Sequence, residues 1–152
     1  MKKLILEIKK QKNSNNCWAA CLSMALDVFS IKKSENELAK NQADGLSLDE
    51  VNTNLSSIFK NNKIETTYRS ELCGINPKLK FNEITEFIDA GKPILIGVYN
   101  YNGLKAHTLL IYGYDSSSET IAIADPWEGK GIIKKHSEII DGEWAETLII
   151  KH

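Results

Sequence analysis

The sequence predicts an α+β protein, with helices in its first half and an antiparallel sheet in its second, one apolar helix packing on that sheet. Three observations carry this reading. Apolar residues recur at helical spacing between Trp18 and Ile88. Runs rich in Ile, Leu, Val and Tyr follow Pro93. Asn102-Gly103 separates two of those runs, the strongest short signal for a β-hairpin.

The first helix is predicted over Cys17–Phe29. Trp18, Cys21, Leu22, Ala25 and Phe29 form one stripe, and Met24 and Val28 widen it. Only Ser23, Asp27 and Ser30 make a polar edge, so the helix is mostly buried. Asn15 or Asn16 is placed to cap it. Ser34 with Glu37, and Ser47 with Glu50, have the spacing of capping boxes. The first opens a short helix ending before Gly45. The second opens a helix whose apolar face is Leu48, Val51, Leu55, Ile58 and Phe59. A strand is expected at Ile64–Arg69, then a loop from Cys73 to Leu79. Phe81, Ile84, Phe87 and Ile88 mark a fourth helix, stopped by Gly91 and Pro93. Strands are expected at Pro93–Tyr101, Ala106–Tyr114, Ile121–Ala124, Ile132-Ile133 and Thr147–Ile150. Polar turns lie at Asp115–Glu119 and Gly129–Gly131.

The 152 residues suit a single domain, 1–152, able to bury a core. A net charge of -1 argues against a nucleic-acid partner bound by bulk charge. Arg69 is the only arginine, which leaves little for bidentate phosphate recognition. The apolar run Leu4-Ile5-Leu6 ends at Glu7, too short for a secretory signal, and no stretch approaches a membrane span. Three cysteines, an odd number, speak against a disulfide framework and fit a reducing cytoplasm. Export without a cleaved signal stays compatible with this. No metal is expected, because no paired Cys/His cluster exists, and no cofactor is implied.

The chemistry concentrates on Cys17. A thiolate is the reactive form of cysteine, and a helix N-terminus lowers a thiol pKa. The flexible Asn13-Ser14-Asn15-Asn16 precedes it. A buried structural role is the competing reading for any lone cysteine. It is the better one for Cys21, one turn further along the packed stripe. Gln11, six positions before Cys17, can aim a side-chain N–H at an oxyanion, with the Cys17 backbone N–H as the second donor. His107 opens the apolar strand Thr108-Leu109-Leu110-Ile111, whereas His136 and His152 lie in charged or terminal surroundings. As a base it would take the Cys17 proton and later protonate a leaving amine. Asp125 ends the next strand. In an antiparallel hairpin the start of one strand lies beside the end of the other, so His107 and Asp125 should meet, and the carboxylate can orient the imidazole. Trp127 either screens that contact or is a core or rim aromatic.

Gln11, Cys17-Trp18-Ala19-Ala20, Ala106-His107-Thr108 and Asp125-Pro126-Trp127-Glu128-Gly129 together resemble the papain-like cysteine peptidases. The resemblance implies a papain-like fold with Cys17 opening the central helix. It implies catalytic roles for Cys17, His107, Asp125 and Gln11, and a peptide or protein substrate. The chain departs from papain itself. Cys17 and His107 are 90 positions apart, against about 130–150 in papain and the cathepsins, and Asp125 stands where papain has Asn. These departures, with Gly91-Lys92-Pro93-Ile94 before a strand, are similar to the compact bacterial branch. That branch includes the double-glycine leader peptidases of bacteriocin exporters. Two alternatives remain open at the level of sequence. One is an acyltransferase of transglutaminase type on the same site, and the other is a non-catalytic peptide-binding module.

Overall fold

The computed structural model describes Met1–His152. In chain order its elements are β1 (Lys2–Lys3), α1 (Cys17–Asp27), α2 (Glu35–Ala39), α3 (Leu48–Asn54), α4 (Ser56–Asn61), β2 (Glu65–Ser70), α5 (Phe81–Asp89), β3 (Ile94–Tyr101), β4 (Leu104–Asp115), β5 (Thr120–Asp125), β6 (Lys130–Lys135), α6 (His136–Ile140) and β7 (Glu143–Lys151). The seven strands form one antiparallel sheet, ordered β2-β7-β3-β4-β5-β6, with β1 beside β4. No helix is long and apolar enough to cross a membrane.

The α+β architecture and the antiparallel sheet match the sequence reading. The sheet is covered on both faces, which that reading did not specify. Leu95, Leu110, Ala122, Ala124, Leu148 and Ile150 pack with Trp18, Leu22 and Leu26 of α1 and with residues of α2, α3 and α4. Their alternating neighbours Ile94, Ile96, Leu109, Ile111, Ile123 and Ile149 pack with Ile84 and Ile88 of α5 and with Ile139 of α6. Two buried faces explain why these strands read as continuous apolar runs rather than alternating ones.

Several boundaries differ. Helix α1 ends at Asp27, two residues short of Phe29. The helix expected after Ser47 is two helices, because Leu55 leaves helical geometry at φ -101 and ψ 14. Strand β7 begins at Glu143, four residues before the apolar run at Thr147. Strand β1 and helix α6 were not foreseen. The Asn102-Gly103 turn is as expected: both residues have positive φ, 47 and 81, as a type I′ hairpin demands. Residues of the N-terminal segment lie against three glycines. A Cβ on Gly113 would meet the Lys2 carbonyl oxygen at 2.7 Å, one on Gly131 would meet Ile8 Cδ1 at 2.9 Å, and one on Gly129 would meet Lys10 Cβ at 2.6 Å. The segment ends with the Gln11 N–H donating to the Pro126 carbonyl at 2.7 Å.

Candidate active site

Cys17 is the first residue of α1 and is half-buried, whereas Trp18 to Asp27 are all buried. The cap expected from Asn15 or Asn16 is not made: Asn16 occupies the N-cap position but its side chain accepts no backbone N–H. By contrast, α2 and α3 both carry complete capping boxes, at Ser34/Glu37 and Ser47/Glu50. The first N–H groups of α1 therefore keep their hydrogen-bonding capacity for another acceptor.

Strands β4 and β5 pair with Leu110 opposite Ala124 and Ile111 opposite Ile123. Continuing that register puts Asp125 opposite Leu109, diagonal to His107. The His107 Nε2 and Asp125 Oδ1 atoms are 2.7 Å apart, and both side chains are buried. Nε2 donates to the carboxylate, leaving Nδ1 for the thiol. Asp125 Oδ1 also accepts the Trp127 backbone N–H at 2.9 Å. Cys17, His107 and Thr108 line one cleft of about 260 Å³, whose walls include the small residues Gly45, Ser47, Gly97 and Ala106.

The electrostatics follow from this placement. Burial pushes the Cys17 thiol up, but hydrogen bonds with His107 and Thr108 and the charge of His107 outweigh it, so its pKa falls below the ordinary thiol value. Burial opposes the charged form of His107, yet the bonds to Asp125 and Cys17 raise its pKa to about 9. Burial likewise pushes Asp125 up, while His107 and the N–H groups of Trp127 and Glu128 pull it below the usual carboxylate range. Both directions favour the thiolate–imidazolium form of the pair over the neutral one. Cys21 differs sharply. It is fully buried, its Sγ lies 3.3 Å from the Thr108 carbonyl, and burial drives its pKa well above the ordinary value.

Gln11 spends its side-chain amide on the loop before Cys17. Its Nε2 donates to the Asn13 carbonyl at 2.9 Å and the Ser14 carbonyl at 3.0 Å, so both amide protons are in use. Its Oε1 is buried without a partner. Gln11 lines a separate cavity of about 330 Å³ together with Trp127. Trp127 is 41% exposed, and the aromatic ring stacked on His107 is instead Tyr101.

Two carboxylates escaped the sequence reading. Glu146 lines the cleft and accepts from the Leu48 N–H at 3.1 Å and the Tyr68 hydroxyl at 2.8 Å, joining β7 to the start of α3. Glu35 is buried and accepts from the Lys12 and Asn13 N–H groups, holding the loop before Cys17. Neither had a local signal, because the partners lie far away in sequence. No group of side chains is arranged to hold a metal.

Three comparisons with known proteins bear on this arrangement. No curated protein matches the chain. The peptidase domain of Streptococcus ComA, a bi-functional ABC transporter involved in quorum sensing, superposes with a TM-score of 0.67 at 18% identity, over 96% of this chain and 98% of that one. A double glycine motif protease from an AMS/PCAT transporter, in complex with the leader peptide, gives 0.66 at 18% identity, over 99% and 94%. A C39-like peptidase from Bacillus anthracis gives 0.64 at 14% identity, over 100% and 99%. These likenesses establish the papain-like fold. The model of the Peptidase_C39 like family matches residues 4–147, almost the whole chain, and carries the enzyme class, a papain-like cysteine peptidase. By that match the chain belongs to the Peptidase_C39 like family.

Proposed function

We propose that the protein cleaves a peptide after small residues, a double-glycine leader being the best candidate, with Cys17 as nucleophile, His107 as acid and base, and Asp125 orienting His107. The observation that carries this reading is the run of contacts from Asp125 through His107 to Cys17 at the open end of α1. Small residues along the cleft, Gly45, Gly97 and Ala106 among them, support a substrate that is narrow at the scissile bond. The AMS/PCAT protease of the same fold was solved with a leader peptide bound.

The Cys17 thiolate attacks the peptide carbonyl carbon, and the carbonyl oxygen takes the charge. The uncapped start of α1 supplies the Cys17 N–H to that oxyanion. Gln11 is the second donor once one of its amide protons leaves a loop carbonyl, an exchange that costs about 1 kcal/mol. His107 Nδ1 gives its proton to the leaving amine. It then takes one from water, which hydrolyses the thioester and restores the thiolate.

A peptide library containing Gly-Gly sequences, read by mass spectrometry, tests this. The wild-type protein should cut after Gly-Gly, and Cys17→Ala should leave every peptide intact. Cleavage by Cys17→Ala would overturn the mechanism. Efficient cleavage after bulky residues would overturn the specificity. An amide product formed with an added primary amine would make the enzyme a transferase.

A further inference from the structure

The imidazole at the centre of the site needs more than one hydrogen bond to stay in place. Its ring can rotate about the Cβ–Cγ bond, and water can compete for the Nε2 proton. A tryptophan two positions after the orienting carboxylate is the obvious cover, but the Trp127 side chain is 41% exposed and lines the cavity beside Gln11. Its contribution at Asp125 is a backbone N–H.

Tyr101 occupies the covering position. It is the last residue of β3 and pairs with Leu104 across the Asn102-Gly103 turn. Its ring stacks in an offset, near-parallel way against the His107 ring, with centroids 6.1 Å apart and planes 21° from parallel. The Lys134 ammonium is 5.3 Å from the Tyr101 ring centroid and fixes the phenol in turn. The Tyr101 hydroxyl is buried, with the Asn102 side chain of the adjoining turn beside it.

We propose that Tyr101, not Trp127, is the positioning residue of the site: its ring holds the His107 imidazole with Nε2 on Asp125 and Nδ1 toward Cys17, and keeps water from that contact. The role rests on the reading of Cys17 and His107 as the reacting pair. The stacked ring blocks rotation, and its negative face favours the imidazolium form. The charged groups that act on His107 are Cys17 from α1 and Asp125 from β5, and both favour the imidazolium. Lys134 from β6 and Glu128 in the turn after β5 face the phenol of Tyr101.

Tyr101→Phe, Tyr101→Leu and Trp127→Leu test the role, each checked for native near-UV circular dichroism. His107 is titrated by NMR, and Cys17 alkylation by iodoacetamide is followed against pH. Tyr101→Leu should lower kcat about tenfold or more with little change in KM. It should also lower the His107 pKa and move the acid edge of alkylation to higher pH. Tyr101→Phe and Trp127→Leu should leave both curves where the wild type has them. Wild-type curves in Tyr101→Leu, or shifts produced by Trp127→Leu instead, would overturn the assignment. A readout on the unmodified protein stands if Tyr101→Leu does not fold. Nuclear Overhauser contacts should join the His107 and Tyr101 ring protons, and their absence overturns the stack. An ordinary thiol profile in the wild type would sink the peptidase reading alone, since the His107 titration reports on Tyr101 without it.

Discussion

Gln11 holds two bonds, one of which the proposed oxyanion role would have to undo. Its amide protons rest on the Asn13 and Ser14 carbonyls, and its Oε1 is buried without a donor. A side chain so arranged is poised rather than satisfied, because an orphaned buried acceptor costs about 1–3 kcal/mol. Gln11→Ala should lower kcat by about 10²–10³ while leaving KM nearly unchanged, as expected for a donor that acts only on the oxyanion. Steady-state kinetics on a Gly-Gly peptide would measure it, and a rise in KM at constant kcat would assign Gln11 to substrate binding instead. The meeting of Cys17, His107 and Asp125 was legible because each has a distinct chemistry and a position. Cys17 opens an apolar stripe, and His107 and Asp125 bracket a hairpin. The direction of the Gln11 amide was not legible, since it depends on which way two loop carbonyls point. Tyr101 was hidden for a similar reason: an aromatic before a turn carries no mark of what it will stack on.

The helices divide into those stabilised at their ends and one that is not. Ser34 accepts the Glu37 N–H, and the Glu37 carboxylate accepts the Ser34 N–H, both on the surface of α2. Ser34→Ala should cost about 1 kcal/mol, visible in the urea midpoint, with kcat unchanged. A shift in kcat would mean that α2 communicates with the loop that Glu35 anchors. Helix α1 is held by burial instead, which frees its first N–H groups for chemistry. Elements with a strong period or a turn signature were readable from sequence. Strand β1 was not, because two residues become a strand only through pairing with Gly113 and Tyr114 of β4. Helix α6 is five residues long and too short for a period. The start of β7 alternates Trp144 with Glu143 and Ala145, so the apolar run that marks the strand begins late.

The titration of the pair reaches the stability of the whole molecule. His107 has a folded-state pKa of about 9, above its ordinary 6.5. Alone, it contributes stability that is complete below pH 6.5 and lost as pH rises through about 9. Cys17 is lowered, so its contribution runs the other way: present above the ordinary thiol value and lost as pH falls through the folded one. Above both 6.5 and the folded Cys17 value, and up to about 9, the folded pair holds one proton, on the imidazole, and the unfolded pair holds one, on the thiol. The pair therefore adds no slope in that window. Cys17→Ala removes the compensation. Asp125 alone then raises His107, to a value below the wild type's, so stability should fall as pH rises from 6.5, by at most about 1.4 kcal/mol per pH unit, until His107 deprotonates. Urea midpoints at pH 6.5, 7.5 and 8.5 would show it, and a slope as flat as the wild type's would mean that Asp125 alone does not hold His107 above its ordinary value.

The N-terminal segment that lies on Gly113, Gly131 and Gly129 ends where Gln11 donates to Pro126, next to Asp125. The segment that carries Gln11 and the turn that carries Asp125 are thus fastened to each other outside the cleft, and they should fluctuate as one body. Gly129 has φ +69 and touches Lys10, so Gly129→Ala strains the backbone and pushes the segment away at once. Hydrogen exchange at the Gln11 N–H should quicken in that variant, and turnover should fall although no residue of the cleft has changed. Unchanged exchange there would show that the two sides move independently.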